Sequence, residues 1–398
     1  MLRLPATLCG AVLLVLSAEA APATYPFDIG RNGEITGQGA SVLRPEIARA
    51  QFVLYGQDEG YADAAVVLRA IAHTARPFGF HTLAIEAGPL TTKLAVRAIR
   101  DQGLPAATAV MRRAPLATIM TLNTQEELTL VADFAEADRS SLPTVWGIDE
   151  EGVGSSLLLL EQLQTLAPGK AARDAVNRLI AEERDPNKPF LTLSADDAVF
   201  RNLADLFPGI APAQRIITAL RETTAWYRLR KTGHFTEGEA RRAALLRANF
   251  LRFYRGAGGE PKVITIMGGN HLGFGETPNA TFDIGTLATA IAEIDGQSAL
   301  RILFFPAGGT PLDNKMRKSH PYYLEQYDDS DPASFYAAIG IDPKSLALHG
   351  WTLIPLAPIR ARLMASGIDK VSAQTRFFVL GYDYLITTPD AKPATPIQ

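Results

Sequence analysis

Short apolar runs recur along this chain, and several stop abruptly at polar residues. Phe52-Val53-Leu54-Tyr55-Gly56 breaks straight into Gln57-Asp58-Glu59-Gly60-Tyr61. Comparable runs cover 82–86, 144–149, 263–267, 301–305 and 377–386. Continuous apolar runs of this length predict strands buried on both faces. Between them, apolar positions recur at helical spacing over 62–73, 90–101, 125–135 and 284–294. Strands alternating with helices predict βαβ units, and so an α/β fold with a central, mostly parallel sheet and flanking helices.

The middle of the chain breaks this rhythm. Residues 153–256 carry no strand pattern. Helical spacing covers 156–166, 171–182, 195–206, 213–232 and 236–254, punctuated by Pro168, Pro186, Pro189, Pro208, Pro212 and Gly233. This reads as a helical insertion within a single α/β domain over 52–398. The basic stretch from Arg228 to Arg255 is interleaved with Ala and Leu and reads as a solvated helix face. Residues 21–51, punctuated by Gly and Pro, read as an N-terminal arm. A Pro/Ala tail follows Thr388.

The first residues read as a processing signal. Met1-Leu2-Arg3 is a short positive start, 4–16 is an apolar core, and Ala18-Glu19-Ala20 is a small-x-small cleavage site. Cleavage after Ala20 predicts a periplasmic or secreted protein with no membrane attachment afterwards. It also removes Cys9, the only cysteine, so disulfides and thiolate metal sites are excluded. The 398 residues are 47% hydrophobic and carry a net charge of −3. That is ample core material, with no basic surplus to bind nucleic acid.

Candidate chemistry gathers where the strands end. The second run ends in Ile85-Glu86, the third in Asp149-Glu150-Glu151, and the fourth in Gly268-Gly269-Asn270-His271. If these strands are parallel neighbours, all four ends share the sheet edge where α/β proteins bind ligands. Taken singly, Glu86 or Asp149 reads equally well as a capping or ion-pair residue, and His271 as a structural histidine. Together, three carboxylates and a histidine repel one another unless they share a proton, bind a metal or hold a cationic group. Two chemistries fit: activation of water by carboxylates and a histidine, or a hard divalent metal in O/N coordination. No His-x-x-x-His or Glu-x-x-His spacing supports the metal. No Gly-x-Ser-x-Gly elbow is present. Gly256-Ala257-Gly258-Gly259 precedes a strand, which is the wrong context for a dinucleotide loop.

The order of these motifs resembles the erythromycin esterase-like branch of the ChaN/Tiki superfamily over most of the mature chain. Ile85-Glu86, Gly147-Ile148-Asp149, Arg242 with Asn249-Phe250, and Asn270-His271 followed by Phe282-Asp283-Ile284-Gly285 match its motifs in sequence order. Each motif is short, so the specificity lies in order and spacing. The resemblance implies ester opening by histidine/glutamate water activation, with Glu86 and His271 catalytic and Arg242 lining the pocket. Metal-dependent peptidases and haem-binding lipoproteins belong to the same superfamily. One departure stands out: where the family's first loop has Glu and His, this chain has Gln57 and Glu59.

The expectation is therefore a hydrolase-like protein in which Glu59, Glu86 and His271 orient and activate water and Asp149 supports His271. Gln57, Asp58, Tyr61, Arg242 and Asn270 would contact a small-molecule substrate, and no cofactor is required. The alternatives are an inactive relative that keeps a pocket for a small molecule or haem, with Tyr61 against a flat ligand, and a hydrolase using a divalent metal.

Overall fold

A computed structural model describes residues 22–114, 121–137, 142–312, 332–347 and 349–397. The expected signal segment, with Cys9, lies outside them. Nine strands form one sheet: β1 (Tyr25–Ile29), β2 (Ile35–Gly37), β3 (Ala50–Gln57), β4 (Thr82–Ile85), β5 (Val145–Gly147), β6 (Val263–Gly268), β7 (Ser298–Phe304), β8 (Trp351–Pro355) and β9 (Tyr384–Thr387). Their spatial order is β2-β1-β8-β9-β7-β3-β6-β4-β5. From β9 to β5 every neighbouring pair is parallel. β8, β1 and β2 extend the sheet antiparallel beyond β9. The fold is thus α/β with a mostly parallel sheet.

β3 sits inside the sheet, and all eight of its residues are buried. Its side chains alternate between faces as the pleat demands. Val53 and Tyr55 join one apolar cluster with Val67, Leu68 and Ile71, while Phe52 and Leu54 join another with Leu246 and Phe250. Phe52 pairs with Val263 and Gln57 with Gly268, and Ile85 lies opposite Ile266. This register brings the C-terminal ends of β3, β6, β4 and β5 to one edge.

The 153–256 stretch is helical throughout its regular elements, ending in the long helices Ala211–Lys231 and Phe235–Ala257. Leu157, Leu160, Val176, Phe200 and Leu220 give it an apolar cluster of its own. Phe235–Ala257 also packs on the sheet through Leu246 and Phe250, which carries Arg242 and Asn249 to the strand ends.

Three expectations change. The N-terminal arm expected over 21–51 is instead, from residue 22 on, built into the molecule as β1, β2 and the helix Gln38–Arg49, because Phe27, Ile35, Leu43 and Ile47 all bury their side chains. The run 377–386 is not one strand. The helix Ala373–Gly381, whose N-cap Ser372 accepts from Thr375 N, occupies its first half, and β9 begins only at Tyr384. β8 has no counterpart in the sequence reading. The tail after Thr388 is built into the molecule, with Ala391, Ala394 and Ile397 buried.

Candidate functional site

The predicted repulsion among the strand-end carboxylates is resolved by a cation from the insertion. Arg242 is buried, and its Nε lies 3.0 Å from both Asp149 Oδ1 and Glu150 Oε2. Its Nη2 donates to Glu86 Oε1 at 2.7 Å and to Asp149 Oδ2. A planar fork with five donors suits such a set of acceptors better than an ammonium would. The guanidinium carbon lies 5.2 Å from the centre of the Trp226 ring, a cation–π distance. Asn249 completes the bracket by donating to the carbonyls of Ile148 and Asp149.

His271 sits on the single helical turn Gly269–Leu272 after β6. Its Nδ1 lies 2.7 Å from Asp283 Oδ2. Asp283 also caps the helix Ile284–Ile294, its Oδ1 accepting from Ile284 N at 2.8 Å. The aspartate is therefore fixed before it fixes the ring. On the other side, Nε2 lies 3.1 Å from Arg242 Nη1 and 3.7 Å from Glu86 Oε1. Glu86 uses its second oxygen to accept from Gly268 N at 2.6 Å.

Glu59 reaches the same place from the β3 loop. A Cβ built on Gly268 would lie 3.1 Å from Glu59 Oε1, 3.6 Å from Glu86 Oε2 and 3.8 Å from His271 Cδ2. Glu59, Glu86 and His271 thus converge on one residue, and glycine leaves room for them. Gln57 donates to Glu127 Oε1 across a long 3.5 Å contact, and Thr124 Oγ1 donates to Glu127 Oε2 at 2.9 Å.

The other expected residues divide. Asp149 lies in the cluster but does not support His271; Asp283 holds that role, because Arg242 takes both oxygens of Asp149. Asn270 is half-buried beside His271 with its Oδ1 unpartnered. Asp58 bears electrostatically on Tyr61 and Tyr336. Tyr61 packs against the apolar core and bridges Pro393, so packing accounts for it without a ligand.

Sequence reasoning assigned no role to Asp283 or Glu127, yet each carries a signal. Asp283 directly precedes an apolar helical run, which is an N-cap pattern. Thr124-Gln125-Glu126-Glu127 has capping-box spacing, and Glu127 N indeed donates to Thr124 Oγ1.

The electrostatics separate the carboxyl groups into two kinds. Burial opposes the Asp149 charge, but Arg242 overrides it and pulls the pKa down to about 2. Burial and the Asp149 charge push Glu150 well above the carboxylate range. Burial, then Glu86 and Glu127, do the same to Glu59, with Arg242 and His271 offsetting part of the rise. Burial carries Glu127 up to about 7. For His271, burial disfavours the charged ring, but Asp283 and Glu86 outweigh it and raise the pKa to about 9. A neutral ring accepts from Arg242 at Nε2; a charged ring is repelled by it.

Among the described residues, no set of three His, Cys, Asp or Glu side chains is arranged to hold a metal ion. Arg242 occupies the centre of the Glu86, Asp149 and Glu150 carboxyl groups.

No protein-family model and no curated protein matches the sequence. Solved structures do. A histidine-to-asparagine mutant of the erythromycin esterase EreC, in its open conformation, matches with a TM-score of 0.59 over 94% of this chain and 100% of that one, at 14% identity. A succinoglycan biosynthesis protein matches with a TM-score of 0.52 over 94% and 96%, at 11% identity. At such identities the likeness is one of architecture, and it extends nearly end to end: the chain has a distant erythromycin esterase-like fold.

Proposed function

We propose that the protein is a hydrolase that opens an ester of a small molecule by activating water, in a periplasmic or secreted setting. One observation carries this reading: the Asp283-anchored His271 meets Glu86 and Glu59 at the C-terminal edge of the parallel strands. In the proposed reaction Arg242 Nη1 moves off His271 Nε2 when substrate binds, and the neutral ring takes a proton from water there as the oxygen attacks the ester carbonyl. Asp283 and Glu86 stabilise the imidazolium that forms. The bond to the leaving alcohol then breaks, and protonated Glu59 gives its proton to the departing oxygen. The acid product releases its proton, and His271 returns its proton to Glu59. Arg242 keeps Asp149 charged, and burial with Glu86 and Glu127 close by keeps Glu59 protonated.

The test is turnover of an ester panel, macrolactones included, by residues 21–398. The expected outcome is hydrolysis that falls roughly 10²–10⁴-fold in Glu59→Gln and His271→Asn, the usual weight of a positioned acid or base. Rate should climb with pH toward the His271 value of about 9. Turnover unaffected by both variants would overturn the assignment.

A second reading, a ligand-binding relative without turnover, is favoured by Arg242 Nη1, which sits on the His271 Nε2 lone pair. It predicts an inert wild type that gains hydrolysis only as Gln57→Glu/Glu59→His.

A further inference from the structure

The segment after Asp390 reads Ala391-Lys392-Pro393-Ala394-Thr395-Pro396-Ile397, which contains two consecutive x-Pro-x triplets. Each triplet grips a different loop. In the first, the Lys392 carbonyl accepts from Ala62 N at 2.8 Å, and Ala394 N donates to the Gly60 carbonyl at 2.9 Å. Pro393 lies opposite Tyr61. In the second, the Thr395 carbonyl accepts from Gln125 N at 2.8 Å, and Ile397 N donates to the Asn123 carbonyl at 2.9 Å. Pro396 lies opposite Thr124. Both prolines stand where an antiparallel pairing asks for no N–H, so the sequence matches the bonds.

Side chains reinforce the grip. Lys392 N donates to Asp63 Oδ2 and Thr395 N to Glu126 Oε2, each in the first turn of the helix after its loop. Ala391, Ala394 and Ile397 are all buried. A burial period of three is the repeat of a polyproline II-like chain.

The two gripped loops hold site residues. Glu59 directly precedes Gly60, which adopts a left-handed φ of 85°. Thr124 holds the Glu127 carboxylate, which in turn accepts from Gln57 at the end of β3. We propose that residues 391–397 are a positioning clamp, tying Gly60–Ala62 to Asn123–Gln125 so that Glu59 is held against Glu86 with Glu127 behind it. The Glu127 charge reaches Glu59, as expected if the clamp keeps the two close. The effect on turnover rests on the proposed hydrolysis; the clamp itself does not.

Two single substitutions test it without deleting anything. Ala394→Pro removes the N–H bonded to Gly60, and Ile397→Pro removes the one bonded to Asn123. In native-state hydrogen exchange, Ala394→Pro should speed the Ala62 amide about tenfold and leave Gln125 unchanged, and Ile397→Pro should do the reverse. The Leu54 amide within β3 reports global opening and should not move. With an ester substrate, both variants should lower kcat about tenfold at unchanged KM, the mark of lost orientation. If Ala62 and Gln125 keep wild-type exchange in both variants, or respond together with Leu54, the clamp is wrong. If exchange responds as expected but no ester is turned over, the clamp stands and the hydrolase reading falls.

Discussion

At the scale of single residues, Arg242 decides whether the carboxylates can coexist. Glu86, Asp149 and Glu150 are each buried within reach of its guanidinium. Removing the cation leaves buried negative charge without a partner, the costly way to break a buried ion pair. Arg242→Met is expected to lose about 3–5 kcal/mol of stability at pH 7, measured by urea denaturation. The loss should shrink toward pH 4 as the stranded carboxylates protonate. Arg242→Lys should fall between, because a single ammonium cannot serve three carboxylates in a plane. A wild-type urea midpoint in Arg242→Met would refute this account. A cationic partner was one of three resolutions the sequence left open, beside a shared proton and a metal, and the family resemblance gave Arg242 only as a pocket-lining residue. The partner of His271 was not legible: Asp149 and Asp283 are both strand- or helix-flanking aspartates, and only the fold shows which one faces Nδ1.

At the scale of elements, the strands that carry the site were legible because burial on both faces leaves unbroken apolar runs. The misreading over 377–386 has the same root. Phe377-Phe378-Val379-Leu380 suits a buried strand or a buried helix equally. The N-cap Ser372 is what distinguishes them. Another boundary device explains Glu151, which serves no chemistry. Its Oε1 accepts from Leu90 N at 2.7 Å, and its Oε2 accepts from Thr91 N and Oγ1 at 3.2 and 2.6 Å. It thereby satisfies the open N-terminus of the helix Pro89–Gln102 from a different strand's loop. Glu151→Ala should cost about 1–2 kcal/mol, as for the loss of a helix cap. Gly88→Ala should also destabilise, since its Cβ would meet the Glu151 carboxyl carbon at 2.3 Å. Thermal unfolding of both variants checks this; unchanged melting would mean that the loop relaxes without the contact.

At the scale of the whole molecule, the site sets how stability depends on pH. His271 has its folded pKa raised to about 9, above an unfolded value of about 6.5. Its contribution is therefore complete below pH 6.5 and lost as pH rises through 9. Glu127, raised to about 7, acts in the same direction from about pH 4.5 upward, and Glu59 and Glu150 share its sign. Asp149 has the opposite sign: lowered to about 2, its contribution is present above about pH 4 and lost as pH falls through 2. These groups together place the most stable condition on the acid side of neutrality. Urea stability should fall between pH 6.5 and 9, with the His271 share on the order of 3 kcal/mol. His271→Gln should take that share out of the fall and leave the acid limb alone. Stability that holds level or rises from pH 7 to 9 in the wild type would contradict the charge arrangement. The proposed chemistry pulls the other way, because a water-activating His271 must be neutral and so works best toward pH 9. If both trends are measured, rate and stability diverge through one ring, and His271→Gln should abolish the first while relieving the second.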